Sequence, residues 1–158
     1  MKFSKRLYKK PGDFLGDLRF VFSRPRLVRA VNRNKAIPSD FRERLMLAVT
    51  SVNQCRYCSY FHAGQALKSG IDRAQISYLL AGEFAGCPQE QVPALLYAQH
   101  WAETDGHPDA EAVQKLEQTY GAEEIEVINL ILRMIRIGNM SGNTWDFLKS
   151  RLSFGKPG

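Results

Sequence analysis

The sequence predicts an all-α protein that forms a single domain. Helix start and stop signals follow one another along the chain, with Pro or Asp at the starts and Gly at several ends. No stretch alternates apolar and polar residues between hairpin turns, as a half-buried β-strand would. The 158 residues, 44% of them hydrophobic, suit one core of ordinary size. We therefore expect a helical bundle without repeats or an interdomain linker.

The first three helices are predicted from proline positions. Residues 11–22 and 25–34 are expected to form two helices that part at Pro25, because proline fits the first turn of a helix and interrupts a preceding one. A third helix begins at Pro38 and continues to about Val52, with its apolar residues buried.

The remaining helices follow from the same rules. A fourth helix covers residues 54–69 and ends at Gly70, since glycine readily adopts the backbone conformation that closes a helix. The last four helices are predicted to begin at Asp72, Pro93, Asp109 and Glu123.

Residues 1–36 form a basic segment that differs from the remaining domain, residues 37–158. The segment holds eleven Lys or Arg and two Asp, whereas the rest of the chain holds eleven bases and fourteen acids. Its apolar residues recur as a helical stripe: Phe14, Leu15, Leu18, Phe20, Val21, Phe22, Leu27 and Val28. Such a stripe indicates docking on the body or on another subunit. The charge alone would suit an acidic partner or nucleic acid, but we favour docking and expect no nucleic-acid partner.

The sequence also bears on the cellular compartment. No apolar run approaches the roughly 18 residues that cross a membrane. The basic start breaks at Pro11 and Gly12 without a continuous apolar stretch or a small-residue cleavage site. Three cysteines, an odd number, argue against a secreted disulfide framework. We therefore expect a cytoplasmic protein with no membrane partner, whose cysteines serve redox chemistry or metal binding.

Four chemically reactive residues lie close together in the sequence: Glu43, Cys55, Cys58 and His62. On a helix over residues 54–69, at about 100° per residue, both thiols and the imidazole share one narrow face. Dithiol redox chemistry needs this arrangement, because a thiolate must meet its substrate, a second sulfur must reach it, and a base must accept and return protons. These four residues are therefore the candidate catalytic residues.

The sequence leaves open which sulfur attacks first. Cys55 lies near a helix start, where unpaired N–H groups and the helix dipole stabilise a thiolate. Cys58 lies one turn before His62, at the spacing that brings a base to the thiol. The first argument favours Cys55 and the second favours Cys58.

Other interpretations of these residues also remain open. The two cysteines could be ordinary buried helix residues. Cys55, Cys58 and His62 could bind a structural zinc ion if Cys87, His100 or His107 supplied a fourth ligand, although those candidates are scattered single residues. Glu43 could cap its own helix, since Asp40-x-x-Glu43 resembles a capping box.

The spacing from Glu43 through Cys55 and Cys58 to His62 resembles that of the AhpD-like alkylhydroperoxidases of the carboxymuconolactone decarboxylase superfamily. In that family a glutamate twelve residues before a C-x2-C-x3-H motif belongs to the site. The resemblance extends more weakly over about residues 25–150. It implies an AhpD-like all-α bundle that assembles into a homo-oligomer. Four later residues are candidates for lining the site or a subunit contact: Asn139, Ser141, Asn143 and Trp145.

The resemblance also implies a role for each residue. Cys58 would attack the peroxide, with His62 relaying its proton and Glu43 as the terminal base. Cys55 would be the more accessible sulfur, which closes a disulfide with Cys58 and then meets the reductant. No cofactor or metal is implied. The partners would be a hydroperoxide and a dithiol reductant, such as a lipoyl-bearing or thioredoxin-like protein.

Tyr57 departs from the pattern, because some family members carry a histidine immediately before the second cysteine. Helical spacing places Tyr57 on the opposite side from Cys55, where we expect it to pack. A phenol relays protons poorly at neutral pH, so one branch of the relay is weakened here.

Thus the sequence predicts a thiol-dependent peroxidase. The alternatives are a general thiol-disulfide oxidoreductase using the same cysteines, a carboxymuconolactone decarboxylase-like enzyme, and, as minor ones, a zinc-binding or nucleic-acid-binding protein. The intact cysteine pair argues against the decarboxylase, whose relatives generally lack it.

Overall fold

The structure is a computed structural model that describes residues 5–153. These residues form eight helices and no strand: α1 (Pro11–Phe22), α2 (Pro25–Asn32), α3 (Ser39–Asn53), α4 (Arg56–Lys68), α5 (Arg73–Leu80), α6 (Val92–Glu103), α7 (Ala110–Thr119) and α8 (Ala122–Ser153). The predicted all-α class and the single domain are confirmed. Of the predicted segments, residues 1–4 and 154–158 lie outside the described part of the chain.

Capping and proline chemistry explain most helix starts. Pro11 and Pro25 occupy first-turn positions in α1 and α2. The side chains of Asp72 and Asp109 accept hydrogen bonds from backbone N–H groups three residues later, so each satisfies a donor that the helix start leaves unpaired. The second helix ends at Asn32, slightly earlier than predicted, and the chain then turns through Asn34 at a φ of 54°.

Helix α3 lies at the centre of the bundle and positions the candidate site. It packs against α4, α5, α6 and α8. Its middle is buried almost all round, and Leu45, Leu47, Ala48 and Val49 have no exposed surface. Complete burial of a leucine stabilises a fold by about 1.5–3 kcal/mol. This buried helix carries Glu43 and ends at Asn53, so Glu43 is held by a helix that packs against four others.

The N-terminal helices dock on the body through part of the predicted apolar stripe. Helices α1 and α2 contact α8. Phe20, Val21, Leu27 and Val28 pack against the core, whereas the side chains of Leu15 and Phe22 remain largely exposed, at 62% and 75%. The stripe is therefore only partly covered within one chain.

A buried carboxylate strengthens this docking. Asp17, on α1, accepts a 2.7 Å hydrogen bond from the Tyr8 hydroxyl and lies 3.5 Å from the Arg136 guanidinium of α8. Burial raises the pKa of Asp17 above its ordinary value, and the hydrogen bond from Tyr8 and the charge of Arg136 oppose that rise. The contact joins α1 to the middle of α8.

Several N-terminal cations are paired within the chain. Lys5 lies 2.5 Å from Asp146, and Arg6 and Lys9 lie 3.1 and 2.5 Å from the carboxylate of Asp105. These cations of the basic segment therefore form ion pairs with acidic side chains of the remaining domain.

Among residues 5–153, no helix is both long and apolar enough to span a lipid bilayer.

Candidate functional site

The site begins in the tight connection between α3 and α4. Gln54 adopts a left-handed conformation, with φ 55° and ψ 38°, and Cys55 is extended, with φ −79° and ψ 105°. These two residues interrupt the helical path, so α4 begins at Arg56 and the predicted helical start at residue 54 is wrong. Cys55 is therefore the N-cap residue of α4 and does not lie on its face, which invalidates the helical angles assigned to it.

The Cys55 sulfur is held at this helix start by the fold around it. Its Sγ accepts a 3.3 Å hydrogen bond from the backbone N–H of Cys58, and the residue has no exposed surface. Helix α8 closes over it at Gly142, where a Cβ would lie 2.8 Å from Cys55 Sγ. Cys58 is partly exposed. The expectation that Cys55 is the more accessible sulfur is therefore wrong, because the connection tucks it beneath α8.

A hydrogen bond between the two thiols shifts their pKa values in opposite directions. The pKa of Cys55 is lowered to about 6, mainly by a hydrogen bond from the Cys58 thiol. Burial opposes this effect, whereas the N–H groups of Cys58 and Tyr57 and the charge of Lys5 add to it. The pKa of Cys58 is raised, first by its hydrogen bond to Cys55 and then by burial. The directions of the two pKa shifts favour negative charge on Cys55, the sulfur that the helix-start argument favours.

Glu43 and His62 are in direct contact. The His62 Nδ1 atom lies 2.8 Å from Glu43 Oε2, and the Glu43 side chain is only 2% exposed. Arg42 donates a 3.0 Å hydrogen bond from Nε to the other carboxylate oxygen. A carboxylate accepting from Nδ1–H leaves Nε2 of the neutral imidazole as the nitrogen that can take up a proton. One turn of α4 separates this imidazole from Cys58.

The start of α3 does not use Glu43 as a cap. The N-cap residue is Pro38, no side chain caps the helix, and the Asp40 carboxylate pairs with Arg44 at 2.5 Å. The carboxylate of Glu43 points instead to His62 and Arg42. This geometry supports a role in the site more than a role as a helix cap.

Tyr57 lies on the same side of α4 as Cys55, contrary to expectation. Its hydroxyl donates a 2.9 Å hydrogen bond to Asp146 Oδ1, and its ring lies beside Gly142. Arg56 donates 2.7 Å hydrogen bonds to the Tyr57 hydroxyl and to Asp146. The prediction failed because it measured the position of Tyr57 from a cysteine that is not helical.

A row of buried polar side chains lies behind the cysteines. Asn53 Nδ2 donates to Asn139 Oδ1 at 3.1 Å, and Asn139 Nδ2 donates to the Thr50 hydroxyl at 3.1 Å. Asn143 Nδ2 donates to the backbone oxygens of Asn53 and Arg6 at 2.7 and 2.8 Å. A hydrogen bond from Asn139 to Cys58 opposes the rise in the pKa of that thiol. Asn139 and Asn143 therefore support the site from α8.

The remaining thiol and imidazoles lie elsewhere. Cys87 is buried, and its pKa is raised by that burial. His100 lies 3.1 Å from Asp109, and the exposed His107 lies 3.6 Å from Asp13. Within the described range, 5–153, no group of three or more His, Cys, Asp or Glu side chains is close enough together to hold a metal ion. The geometry thus gives the zinc interpretation no support.

Sequence reasoning did not identify four residues of this region: Lys5, Arg42, Gly142 and Asp146. Only Arg42 gave a signal in the sequence, because it lies next to Glu43. That signal was weak, since the side chains of adjacent helical residues normally point about 100° apart. The long arginine side chain bends back to reach the carboxylate. The contacts of Gly142 and Asp146 depend on how α8 packs against α4, which no local pattern reveals.

Comparison with known families identifies the class of protein. A family model described as the carboxymuconolactone decarboxylase family matches residues 25–104, which includes Glu43, both cysteines of the motif and His62. The chain belongs to that family, which is enzymatic in general. No curated protein and no solved structure matches the chain.

Gly142 offers a direct test of the packing around Cys55. We expect Gly142→Ala to destabilise the reduced protein by about 1–3 kcal/mol, because the new methyl group must displace the short Cys55 side chain. Gly138 lies four residues earlier on α8, and a Cβ added there would meet no neighbouring group within 4 Å, so Gly138→Ala should stabilise by about 0.5–1 kcal/mol. Denaturant unfolding of both variants under reducing conditions measures the difference. Equal effects at the two glycines would contradict the close approach.

Proposed function

We propose that this protein is a thiol-dependent peroxidase of the alkylhydroperoxidase type. The observation that carries the proposal is the 2.8 Å contact between His62 Nδ1 and Glu43 Oε2, which directs a proton acceptor one turn from the partly exposed Cys58. The second sulfur, Cys55, lies beside Cys58 and shares its proton. An attacking thiol, a base and a second sulfur are the groups that a two-cysteine peroxidase mechanism uses.

The first step oxidises Cys58. The Cys58 S–H turns away from Cys55 and gives its proton to His62 Nε2, while Glu43 stabilises the imidazolium. The sulfur then attacks the terminal oxygen of the hydroperoxide. The O–O bond breaks, a sulfenic acid forms on Cys58, and the departing alkoxide takes the proton from His62 to become an alcohol. The sulfur is oxidised and the peroxide is reduced by two electrons.

The second step forms the disulfide. The Cys55 thiolate attacks the Cys58 sulfur and the S–O bond breaks. The departing hydroxide takes a proton from the solvent to become water. Once Cys58 is oxidised its thiol hydrogen is gone, and the N–H groups of Cys58 and Tyr57 and the charge of Lys5 are the groups that still favour the thiolate form of Cys55. A dithiol reductant, of lipoyl-bearing or thioredoxin-like type, then restores both thiols. The proposal places the reaction in the reducing cytoplasm and requires no bound cofactor.

A general thiol-disulfide oxidoreductase is the second candidate. The low pKa of Cys55 at a helix N-terminus is the specific observation in its favour, because oxidoreductases of this kind use such a thiolate. The complete burial of Cys55 argues against it, since that thiolate would have to reach a protein disulfide.

Substrate kinetics separate the two candidates. Reduced protein with excess dithiothreitol is supplied either with cumene hydroperoxide or with a disulfide such as oxidised glutathione. The peroxidase proposal predicts peroxide-dependent turnover well above that of Cys58→Ser, with little exchange on the disulfide. Turnover on the disulfide alone would support the second candidate, and turnover on neither would leave a decarboxylase-like activity as the family alternative.

A homo-oligomer is part of the proposal. The largely exposed Leu15 and Phe22 continue the partly covered apolar stripe of the N-terminal helices, and a second copy would bury them. We expect sedimentation at micromolar concentration to give a mass well above the 17.9 kDa of one chain. Leu15→Glu combined with Phe22→Glu should shift the mass towards one chain, and Leu67→Glu on α4 is the control. A wild-type mass of one chain would contradict the assembly.

A further inference from the structure

The two sulfurs of the motif differ sharply in access. Cys55 has no exposed surface, whereas Cys58 is partly exposed on α4. In thiol-disulfide exchange, an incoming thiolate must approach one sulfur in line with the bond that breaks. Access therefore helps to decide which of the two sulfurs an external reductant attacks.

A cluster of hydrogen-bonded charged and aromatic side chains lies next to Cys55, with the Tyr57 ring and the Lys5 charge nearest to it. Asp146 of α8 accepts hydrogen bonds from the Tyr57 hydroxyl at 2.9 Å and from Arg56 at 2.7 Å. Its other oxygen lies 2.5 Å from Lys5, and only 8% of the residue is exposed. The Tyr57 ring lies beside Gly142, where an added Cβ would lie 3.5 Å from the ring and 2.8 Å from Cys55 Sγ. We call Lys5, Arg56, Tyr57 and Asp146 the closing cluster.

The N-terminal segment is tied to the same place by its backbone. The Asn143 side chain donates to the Arg6 backbone oxygen at 2.8 Å and to the Asn53 backbone oxygen at 2.7 Å. Asn53 precedes Cys55 by two residues. The segment that carries Lys5 is therefore fixed to both α8 and the connection that holds Cys55, and it supports the closing cluster.

The surroundings of Cys55 also suit a sulfur that leaves as a thiolate. Its Sγ accepts the 3.3 Å hydrogen bond from the Cys58 N–H, and the Tyr57 N–H and the Lys5 charge stabilise negative charge on it as well. Exchange is faster when the departing thiol has a lower pKa. The N–H groups and the Lys5 charge stay in place when Cys58 is bonded to the reductant, and each of them lowers the pKa of Cys55.

We propose that the external reductant attacks Cys58, with buried Cys55 as the leaving group, and that the closing cluster enforces this direction. The inference rests on the proposed function for its disulfide, and it reverses the role that the family resemblance implies for Cys55. Tyr57, Asp146 and Lys5 are then positioning residues that determine where the reductant binds covalently.

The step balances as an ordinary exchange. The reductant thiolate forms a bond to Cys58 Sγ, and the Cys55–Cys58 bond breaks with its electron pair on Cys55. The second thiolate of the dithiol then attacks the reductant sulfur of the mixed disulfide. Cys58 leaves and takes up a proton, the reductant becomes a disulfide, and the protein has gained two electrons.

Single-cysteine variants test access directly. In a Cys87→Ser background, Cys55→Ser leaves only Cys58 and Cys58→Ser leaves only Cys55. An uncharged probe, 4,4′-dithiodipyridine, avoids attraction by the nearby cations. We expect the protein with only Cys58 to react at least about 10-fold faster than the protein with only Cys55, and both to react equally after unfolding. Equal native rates, or a faster Cys55, would overturn the proposal.

Variants of the closing cluster test its part in this difference. Tyr57→Ala and Asp146→Asn should raise the reactivity of the protein with only Cys55 about 10-fold or more and leave that of the protein with only Cys58 within about 2-fold. Lys9→Ala is the matched control, because Lys9 lies on the same segment but pairs with Asp105. Unchanged reactivity of Cys55 in both cluster variants would show that the cluster does not control access.

The site of the mixed disulfide tests the chemistry. Cys87→Ser protein is oxidised with diamide, exposed briefly to excess glutathione, quenched with acid and mapped by mass spectrometry. The proposal predicts the glutathione adduct on the Cys58 peptide, and an adduct mainly on Cys55 would overturn it. If no adduct accumulates, the ratio of the single-cysteine reactivities decides. Diamide replaces the peroxide, so absent peroxidase activity would refute the proposed function without affecting this result.

Discussion

Replacing either cysteine of the motif should stop peroxide turnover, but at different steps. Cys58→Ser is expected to abolish the first oxidation, because the sulfur that attacks the peroxide is gone. Cys55→Ser should still form a sulfenic acid on Cys58, which dimedone traps, and then fail to turn over because no second sulfur closes the disulfide. Mass spectrometry after one equivalent of hydroperoxide distinguishes the two variants.

Cys87→Ser provides the control for both cysteine variants. Cys87 is a buried thiol whose pKa is raised by burial, and it should not take part in turnover. The variant should therefore keep near-normal activity. A dimedone adduct on Cys55 in Cys58→Ser would reverse the two roles and would favour the helix-start argument. An obligatory disulfide between Cys87 and either motif cysteine would contradict the assignment altogether.

Removal of the relay should slow the first oxidation strongly at neutral pH. We expect His62→Ala and Glu43→Gln to reduce the rate of sulfenic acid formation by roughly 10²- to 10⁴-fold, the usual range for a positioned acid or base. The pKa of Cys58 is raised, so at neutral pH this thiol is protonated and depends on a proton acceptor. The loss should shrink as the pH rises, because the thiol then ionises without help. Stopped-flow oxidation between pH 6 and pH 10 measures this trend.

Asp40→Asn is the matched control for Glu43→Gln. Both replacements remove a carboxylate from α3, but Asp40 pairs with Arg44 and not with His62. Asp40→Asn should leave the pH profile of oxidation unchanged. If Glu43 served only the stability of its helix, Glu43→Gln would cost about 0.5–2 kcal/mol with normal thiol reactivity in the folded fraction. Thermal melts beside the pH profiles separate these outcomes.

Local sequence rules were sufficient to locate the helices but not all of their ends. Proline at the first turns of α1 and α2, and aspartate at the caps of α5 and α7, act within a few residues of their own position. The start of α4 was misplaced because Gln54 adopts a left-handed conformation that its residue type does not announce. Because of this turn, Cys55 is the N-cap residue of α4 and not part of the helix face, and its side chain is buried.

The surroundings of the site depend on contacts that are distant in sequence. His62 and Glu43 are separated by 19 positions, and the spacing of the motif was enough to place both residues in the candidate site. Lys5 and Asp146 are 141 positions apart, and Asn53 and Asn139 are 86 apart. Such pairs meet only when α8 packs against α3 and α4 and the N-terminal segment crosses them. Tertiary packing therefore determines which sulfur is buried, and no local pattern carries that information.

A single-turnover titration tests most directly whether this chain reduces peroxides with its two motif cysteines. Reduced protein is mixed in a stopped-flow instrument with one equivalent of hydrogen peroxide or of cumene hydroperoxide, and free thiols are counted over time. We expect two thiols to disappear for each peroxide consumed, with peptide mapping showing Cys55 joined to Cys58. Thiols that survive the peroxide, or that disappear without consuming it, would contradict a peroxidase.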